Sequence, residues 1–206
     1  MTRGTAIARE VLEQLYYAQR LSMQQIADRL GCSPHKVTYW MHAYGMERRT
    51  WSEATYAHCN PDGDPFKVIT PVTPQEIELF GLGLGLFMGE GTRKAQHEVT
   101  LANASPDIHR IFLAFLGQIC GVARSDLRVW INIFDDRDVE VATNWWAEQL
   151  GLRREQFVAP TVRPAKGGTY KNRSLYGTLT VRFNNIKLKK IIDGWCFTYY
   201  AKYGTN

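Results

Sequence analysis

No stretch of this 206-residue chain is apolar for long enough to span a bilayer, and its first residues lack the apolar core of a signal peptide. The four cysteines, Cys32, Cys59, Cys120 and Cys196, include no C-x-x-C pair, so neither a zinc knuckle nor a disulfide framework is indicated. We therefore expect a cytoplasmic protein with free thiols and no membrane contact.

Acidic residues are almost missing from the later part of the chain. Between Arg153 and Lys190, ten basic residues stand against Glu155 alone, which gives this segment a net charge of +9. The whole chain carries +5, so the remaining residues carry −4. A charge distribution this uneven suggests a polyanionic partner.

One stretch contains more glycine than an ordinary helix tolerates. Residues 75–94 read QEIELFGLGLGLFMGEGTRK. Thr73 and Pro74 precede it and Glu76 follows, which is a typical helix start with a capping hydroxyl, a first-turn proline and an early acid. We predict a helix over 75–90, although each glycine inside it costs roughly 1 kcal/mol relative to alanine. Packing must offset that cost.

Three of these glycines have a regular spacing. Gly81, Gly85 and Gly89 fall at every fourth position, so they lie on one side of the predicted helix and form a shallow groove. The backbone of a second helix can lie in such a groove. Glu90 follows directly, and an acid at a helix C-terminus opposes the helix dipole unless a cation or a function compensates. A buried glycine-rich helix with a solvated terminal acid is the plain structural alternative.

Two phosphate-binding motifs fail on the same stretch. The dinucleotide fingerprint G-x-G-x-x-G fails because Met88 stands where the third glycine should follow Gly83 and Gly85. A Walker loop fails because Glu90 stands at the position of its second glycine. The stretch therefore does not indicate a nucleotide-binding loop.

The segment GLGLFMGEG resembles the signature helix of the LAGLIDADG homing endonuclease family, in the variant that ends Gly-Glu-Gly. Gly85 corresponds to the first glycine of the motif, Glu90 to its final acid and Gly91 to its terminal glycine, whereas Met88 replaces the earlier acid. The resemblance implies an α+β domain over residues 74–206, with the order αββαββα and a DNA-binding sheet. Because the final acid is the metal ligand in this family, it also implies that Glu90 and the backbone of Gly91 bind Mg²⁺ or Mn²⁺.

The sequence predicts a first domain over residues 1–50, with three helices between residues 6 and 45. Gly31 ends the second helix and Ser33 caps the third. The segment LSMQQIADRLGCSPHKVTYWMHAYGM resembles the helix-turn-helix units that bind DNA, with residues 34–45 as the recognition helix. The resemblance implies that the following side chains face DNA: His35, Lys36, Thr38, Tyr39 and His42. A plain three-helix interaction module is the alternative.

Residues 51–73 are predicted to be a linker, because the sequence NPDGDP consists of turn residues that cannot continue a helix. Arg48 and Arg49, which precede it, extend the predicted DNA contact.

Alternation and helical periodicity divide the rest of the chain. We predict strands at 98–103, 127–134, 157–162 and 175–183, and helices at 105–120, 139–150 and 184–200. The polar sides of the strands carry side chains that can bind base edges: Thr100, Arg128, Asn132, Tyr176, Thr178, Thr180 and Arg182. A loop with Lys166, Lys171 and Arg173 adds phosphate contacts. A solvated sheet face is the alternative, but such a face has no need to exclude acids.

Family members with one signature helix work as homodimers, and the glycine groove predicts the same contact on steric grounds. Two such helices would bring both Glu90 carboxylates together as a hard-oxygen site for Mg²⁺, which activates water. Arg182, or a lysine within 187–190, would stabilise charge on the phosphate. We expect a site-specific double-strand DNA endonuclease of the homing type. A non-cleaving DNA-binding regulator and a maturase of intron RNA stay open as alternatives.

Overall fold

The computed structural model describes residues 5–92, 94–165 and 174–204. Contacts divide the chain into two compact units, Met1–Pro65 and Phe66–Asn206. No helix in the described ranges combines the length and the apolarity that a membrane crossing requires. At the level of fold class the chain is α+β, as predicted, with one sheet among the described residues.

The first unit contains the three predicted helices. The first is α1 (Arg9–Glu13), which continues as a π-helical segment, Gln14–Ala18, and it is followed by α2 (Met23–Leu30) and α3 (Pro34–Ala43). Gly31 ends α2 with a φ of 60°, and the Ser33 hydroxyl accepts a hydrogen bond from the Lys36 amide, so both predicted helix boundaries are confirmed. The buried core of this unit includes Leu12, Leu15, Ile26, Val37 and Met41.

The predicted linker 51–73 is wrong as a description of its first residues, because Trp51–Cys59 forms a helix, α4. Thr50 and Glu53 make a capping box that starts it, and this signature outweighs the turn residues that follow. The helix stops before Asn60, as the turn residues require. No residue of α4 is buried, so this helix has no buried apolar stripe from which it could have been predicted.

The second unit begins with the predicted glycine-rich helix, α5 (Pro74–Glu90). The Thr73 hydroxyl accepts from the Glu76 amide, and the Glu76 carboxylate accepts from the Thr73 amide at 3.0 Å, which confirms the predicted start. The buried face of α5 consists of Gly83, Leu84 and Phe87.

Four strands form the sheet of the second unit. These are β1 (Glu98–Asn103), β2 (Arg128–Phe134), β3 (Thr161–Arg163) and β4 (Thr178–Asn184). Their order is β1-β4-β2-β3, in which β4 is antiparallel to both β1 and β2, and β3 is parallel to β2. The remaining helices are α6 (Pro106–Ala114), with a π-helical continuation Phe115–Ile119, α7 (Val139–Leu150) and α8 (Ile186–Tyr203).

The order of elements departs from αββαββα, because a helix separates β1 from β2 and another separates β2 from β3. Ser105 and Pro106 begin α6 immediately after β1, which leaves no turn for a hairpin with β2. Consequently β1 pairs with β4 at the far end of the chain. Among the described residues the order of α-helices and strands in the second unit is therefore αβαβαββα, and the expected αββαββα is wrong.

Two strands begin later in the chain than predicted. The strand predicted at 157–162 begins only after Pro160, which has no amide hydrogen for the ladder. The strand predicted at 175–183 begins at Thr178, because Gly177 has a φ of 69° and turns the chain. An alanine Cβ at Gly177 would lie 2.5 Å from the Asn132 carbonyl oxygen, so this close approach also requires glycine.

Candidate nucleic-acid interface

The sheet has one apolar face and one polar face. Apolar residues of β1, β2 and β4 enter the core with α5, α6, α7 and α8: Val99, Leu101, Val129, Ile131, Leu179 and Val181. The intervening residues point to the other side, since side chains alternate along a strand. Of the described residues on that other face, none belongs to the apolar core cluster. This face collects six of the seven predicted sheet residues, all except Tyr176.

The pairing register arranges these residues in rows. Thr100, Arg182 and Arg128 are partners across β1, β4 and β2. Thr180 and Trp130 are partners in the next row. In the row after that, Asn132 pairs with Thr178. The Asn132 side-chain amide donates to the Thr180 hydroxyl at 3.2 Å, which ties neighbouring rows together.

Arg182 is held by two neighbours. One guanidinium nitrogen lies 3.7 Å from a carboxylate oxygen of Glu98, and the guanidinium carbon lies 5.0 Å from the centre of the Trp130 ring. Its Nε is buried and has no hydrogen-bond partner among the residues described. Neither Glu98 nor Trp130 was among the predicted site residues. Their alternation with Thr100 and Asn132 along the strands is the signal that could have found them.

Thr100 and Arg128 complete the same row. The Thr100 side chain is 2% exposed, and its hydroxyl oxygen also lacks a hydrogen-bond partner within the described part of the chain. The exposed Arg128 donates to the carbonyl oxygens of Ser125 at 2.8 Å and of Leu127 at 2.9 Å. Its guanidinium is therefore anchored at the start of β2 and still reaches solvent.

Tyr176 is not on the polar face, which corrects its predicted position. Its ring stacks on Trp145 of α7 with a centroid distance of 4.1 Å, and its carbonyl accepts from the indole nitrogen of Trp146 at 2.9 Å. The turn at Gly177 breaks the alternation that placed Tyr176 beside Thr178. The tyrosine consequently stabilises the contact with α7 and packs against the core.

The acid at the end of α5 lies beside the sheet. Glu90 is exposed, and the Thr92 amide donates to the Thr100 carbonyl at 3.1 Å, so the end of α5 is attached to β1. Gly91 pairs with Leu101, and a Cβ on it would lie 2.4 Å from the Phe87 carbonyl oxygen. Glycine is therefore required directly after the acid. No three His, Cys, Asp or Glu side chains of one chain come together in the described ranges.

The glycine side of α5 is uncovered. Gly81, Gly85 and Gly89 are exposed, and a Cβ on any of them would meet nothing within 4 Å. Ile77 and Leu82 are also exposed on this helix, at 56% and 48%. The opposite side is fully packed, since a Cβ on Gly83 would lie 2.2 Å from the Phe115 ring. The helix thus has one glycine for the core and three that face outward.

One of the lysines within 187–190, which were proposed to stabilise charge on the phosphate, is buried. Lys189 is 1% exposed, its Nζ lies 2.5 Å from both carboxylate oxygens of Asp193, and it sits 5.6 Å from the centre of the Phe87 ring. It therefore supports the contact between α8 and α5 and does not present its charge to solvent. Lys190 is exposed.

In the first unit, three of the predicted α3 residues are exposed: His35, Tyr39 and His42. Lys36 is partly exposed. The Thr38 hydroxyl donates to the Pro34 carbonyl at 2.9 Å and lies 3.1 Å from the Met23 sulfur. Thr38 thus satisfies its hydrogen bond within the unit and is less available to a ligand than predicted.

Arg49 forms hydrogen bonds within the first unit, although the sequence predicted that it contacts DNA. Its guanidinium donates to the carbonyl oxygens of Arg20, at 2.9 Å, and of Leu21, and it lies 4.1 Å from the centre of the Tyr16 ring. Arg20 has a φ of 56°, an unusual conformation for a residue other than glycine. Arg49 therefore fastens the strained turn between α1 and α2, whereas Arg48 is exposed.

The predicted phosphate-contacting residues Lys166, Lys171 and Arg173 lie outside the described residues. Comparisons with protein-family models, with curated proteins and with solved structures gave no significant match to this chain.

Proposed function

We propose that this chain is a site-specific double-strand DNA endonuclease that acts as a homodimer. The observation that carries the proposal is the uncovered glycine side of α5, which ends in an exposed acid where the chain is bound to the edge strand β1. This arrangement agrees with the resemblance of GLGLFMGEG to the LAGLIDADG signature helix. The helices α1, α2 and α3 of the first unit agree with an additional helix-turn-helix contact to DNA.

The dimer would form between two copies of α5 around a two-fold axis. Gly81, Gly85 and Gly89 carry no side chains, so two backbones could approach closely along this side. Ile77 and Leu82 add exposed apolar surface to the same helix, and its burial would favour association. Such a contact would place the two Glu90 carboxylates near each other at the ends of the paired helices.

The donors at this point suit a hard divalent cation. One chain offers the exposed Glu90 carboxylate and backbone carbonyls near Gly91, and Mg²⁺ prefers one or two carboxylates together with water and phosphate oxygens. When bound, the ion would lower the pKa of a bound water for attack on a phosphodiester. The donor set fits Mg²⁺ or Mn²⁺ with one acid from each protomer.

The polar sheet face would bind the duplex next to the acids. Arg128 and Arg182 would attract the phosphate backbone, and the partly exposed Asn132 and Thr178 offer donors and acceptors to base edges. Thr180 is only 5% exposed and accepts the Asn132 amide, so it would orient Asn132 and would not contact a base itself. Arg182 is attached through the sheet register to Thr100, which the end of α5 contacts. Arg182 would therefore neutralise charge on a phosphate bound between β1 and the end of α5.

Cleavage of a plasmid that carries the native flanking locus tests the proposal. Wild type with Mg²⁺ should give linear product, and Glu90→Gln should give none while binding is retained. Glu78→Gln removes an exposed acid from the same helix and should cleave like wild type. Equal cleavage by wild type and Glu90→Gln would overturn the catalytic assignment.

A second candidate is a DNA-binding regulator that does not cleave. Met88, which packs against the core where the family motif has its earlier acid, favours this reading, as do the exposed residues of α3. A protected footprint at the native locus, with no nicking in Mg²⁺ or Mn²⁺, would decide for the regulator.

A further inference from the structure

The geometry points to a phosphate-binding site formed by Thr100 and Arg182, which Glu98 occupies in the absence of DNA. This inference rests on the proposed binding of DNA to the polar sheet face and deepens it by assigning the first phosphate contact. The ligand is an anionic oxygen of a phosphodiester.

Two unsatisfied polar atoms belong to residues that are cross-strand partners on this face. Thr100 and Arg182 are partners in the register of β1 and β4, so both side chains are on the polar face. The Thr100 hydroxyl and the Arg182 Nε are buried and have no hydrogen-bond partner among the described residues. Buried polar groups are nearly always paired, and a pair of unsatisfied neighbours indicates a missing ligand. One anionic oxygen would satisfy both.

An aromatic ring lies against one side of the Arg182 guanidinium. Trp130 lies on one side of it at 5.0 Å, which restricts the plane of the guanidinium before any ligand arrives. A planar guanidinium donates two parallel hydrogen bonds to phosphate, so a fixed plane favours that geometry. Trp130 is therefore a positioning residue for Arg182.

Glu98 is a weak partner that a phosphate can displace. Its carboxylate oxygen lies 3.7 Å from the nearest Arg182 nitrogen, which is beyond hydrogen-bond distance. The two side chains are 20% and 30% exposed, so water screens their attraction. A phosphate would gain the hydrogen bonds that Glu98 does not make. Glu98 would then oppose the bound phosphate as a like charge and weaken binding to DNA in general.

Fluorescence anisotropy with a mixed-sequence duplex, measured over a series of salt concentrations, tests the site. Glu98→Gln should tighten binding by about three- to tenfold. Glu140→Gln is the matched control. Glu140 lies on α7 and forms an exposed ion pair with Arg154, and its replacement changes the net charge by the same amount. It should change the affinity by less than about twofold.

The Thr100 hydroxyl is tested separately. Thr100→Val keeps the shape and should weaken binding by about three- to tenfold, whereas Thr100→Ser should restore it. In an Arg182→Gln background, neither Glu98→Gln nor Thr100→Val should change the affinity further. Thermal melting of each variant establishes that it is folded.

The outcomes separate this inference from the proposed function. If wild type binds the duplex but Glu98→Gln and Glu140→Gln behave alike, Glu98 does not occupy the site and the inference is overturned. If Thr100→Val binds like wild type, the shared phosphate contact is overturned. If wild type does not bind duplex DNA at low salt, the proposed function fails and this inference fails with it.

Discussion

Gly83 of α5 and the Phe115 ring are in such close contact that a Cβ on Gly83 would lie 2.2 Å from the ring. Gly83→Ala should therefore force the helices apart and lower the free energy of unfolding by about 1–3 kcal/mol. Gly194→Ala in α8 is the control, because a Cβ there meets nothing within 4 Å, and it should be neutral or stabilise by up to about 1 kcal/mol. Urea unfolding measures both. Similar changes in both variants would contradict this account of the packing.

Arg49 holds the turn at Arg20 through two carbonyl oxygens. Arg49→Ala should destabilise the first unit by about 1–3 kcal/mol, because two partly buried acceptors lose their donor. Arg48→Ala should stay within about 0.5 kcal/mol, since Arg48 is exposed. Amide hydrogen exchange around residues 19–22 reports the change locally. Equal protection of these amides in both variants would show that the guanidinium is dispensable.

His109 gives the second unit a dependence on pH. It is buried against Trp146, one ring nitrogen lies 3.0 Å from the Asn103 carbonyl oxygen, and burial lowers the pKa of the imidazole. The contribution of the neutral ring is therefore complete above the unfolded pKa of about 6.5 and is lost as the pH falls below it.

The free energy of unfolding should accordingly decrease from neutral pH to mildly acidic pH. In His109→Gln this slope should be smaller than in wild type. An identical slope in both proteins would mean that the pKa of His109 does not change on unfolding.

The cysteines should differ in reactivity. Burial raises the pKa of the Cys120 thiol to about 12, so almost no thiolate is present at neutral pH, whereas Cys59 is exposed. Alkylation of the native protein, followed by mass spectrometry of its peptides, should label Cys59 first and Cys120 only after unfolding. Rapid labelling of Cys120 in the folded protein would contradict its burial.

Local signals predicted most of the elements. The caps at Thr73 and Ser33, the glycine at the end of α2 and the alternation in β2 each depend on neighbouring residues, and the structure confirms the elements they define. Long-range contacts could not be predicted in this way. The pairing of β1 with β4 depends on the direction in which α6 takes the chain after β1, and the residues of the two strands contain no information about that direction.

The candidate site shows the same division. Alternation placed Arg128, Asn132 and Arg182 on the polar face correctly, but it failed for Tyr176 because one left-handed glycine reverses the direction of the side chain. The sequence predicts that Arg49 extends the DNA contact and that a lysine within 187–190, a range that includes Lys189, stabilises charge on the phosphate. Both side chains instead bind groups of the protein itself. Arg49 donates to the carbonyl oxygens of a turn, and Lys189 donates to Asp193. A count of basic residues does not distinguish such internal contacts from contacts with DNA.

The association of two α5 helices through their glycine side is the central proposal. Sedimentation velocity, with and without a duplex, measures it most directly, with Gly85→Leu as the test and Gly194→Leu as a control on another open helix surface. The account predicts two wild-type chains and two Gly194→Leu chains on each duplex, and a single Gly85→Leu chain. A single wild-type chain on the duplex, or an intact dimer of Gly85→Leu, would contradict it.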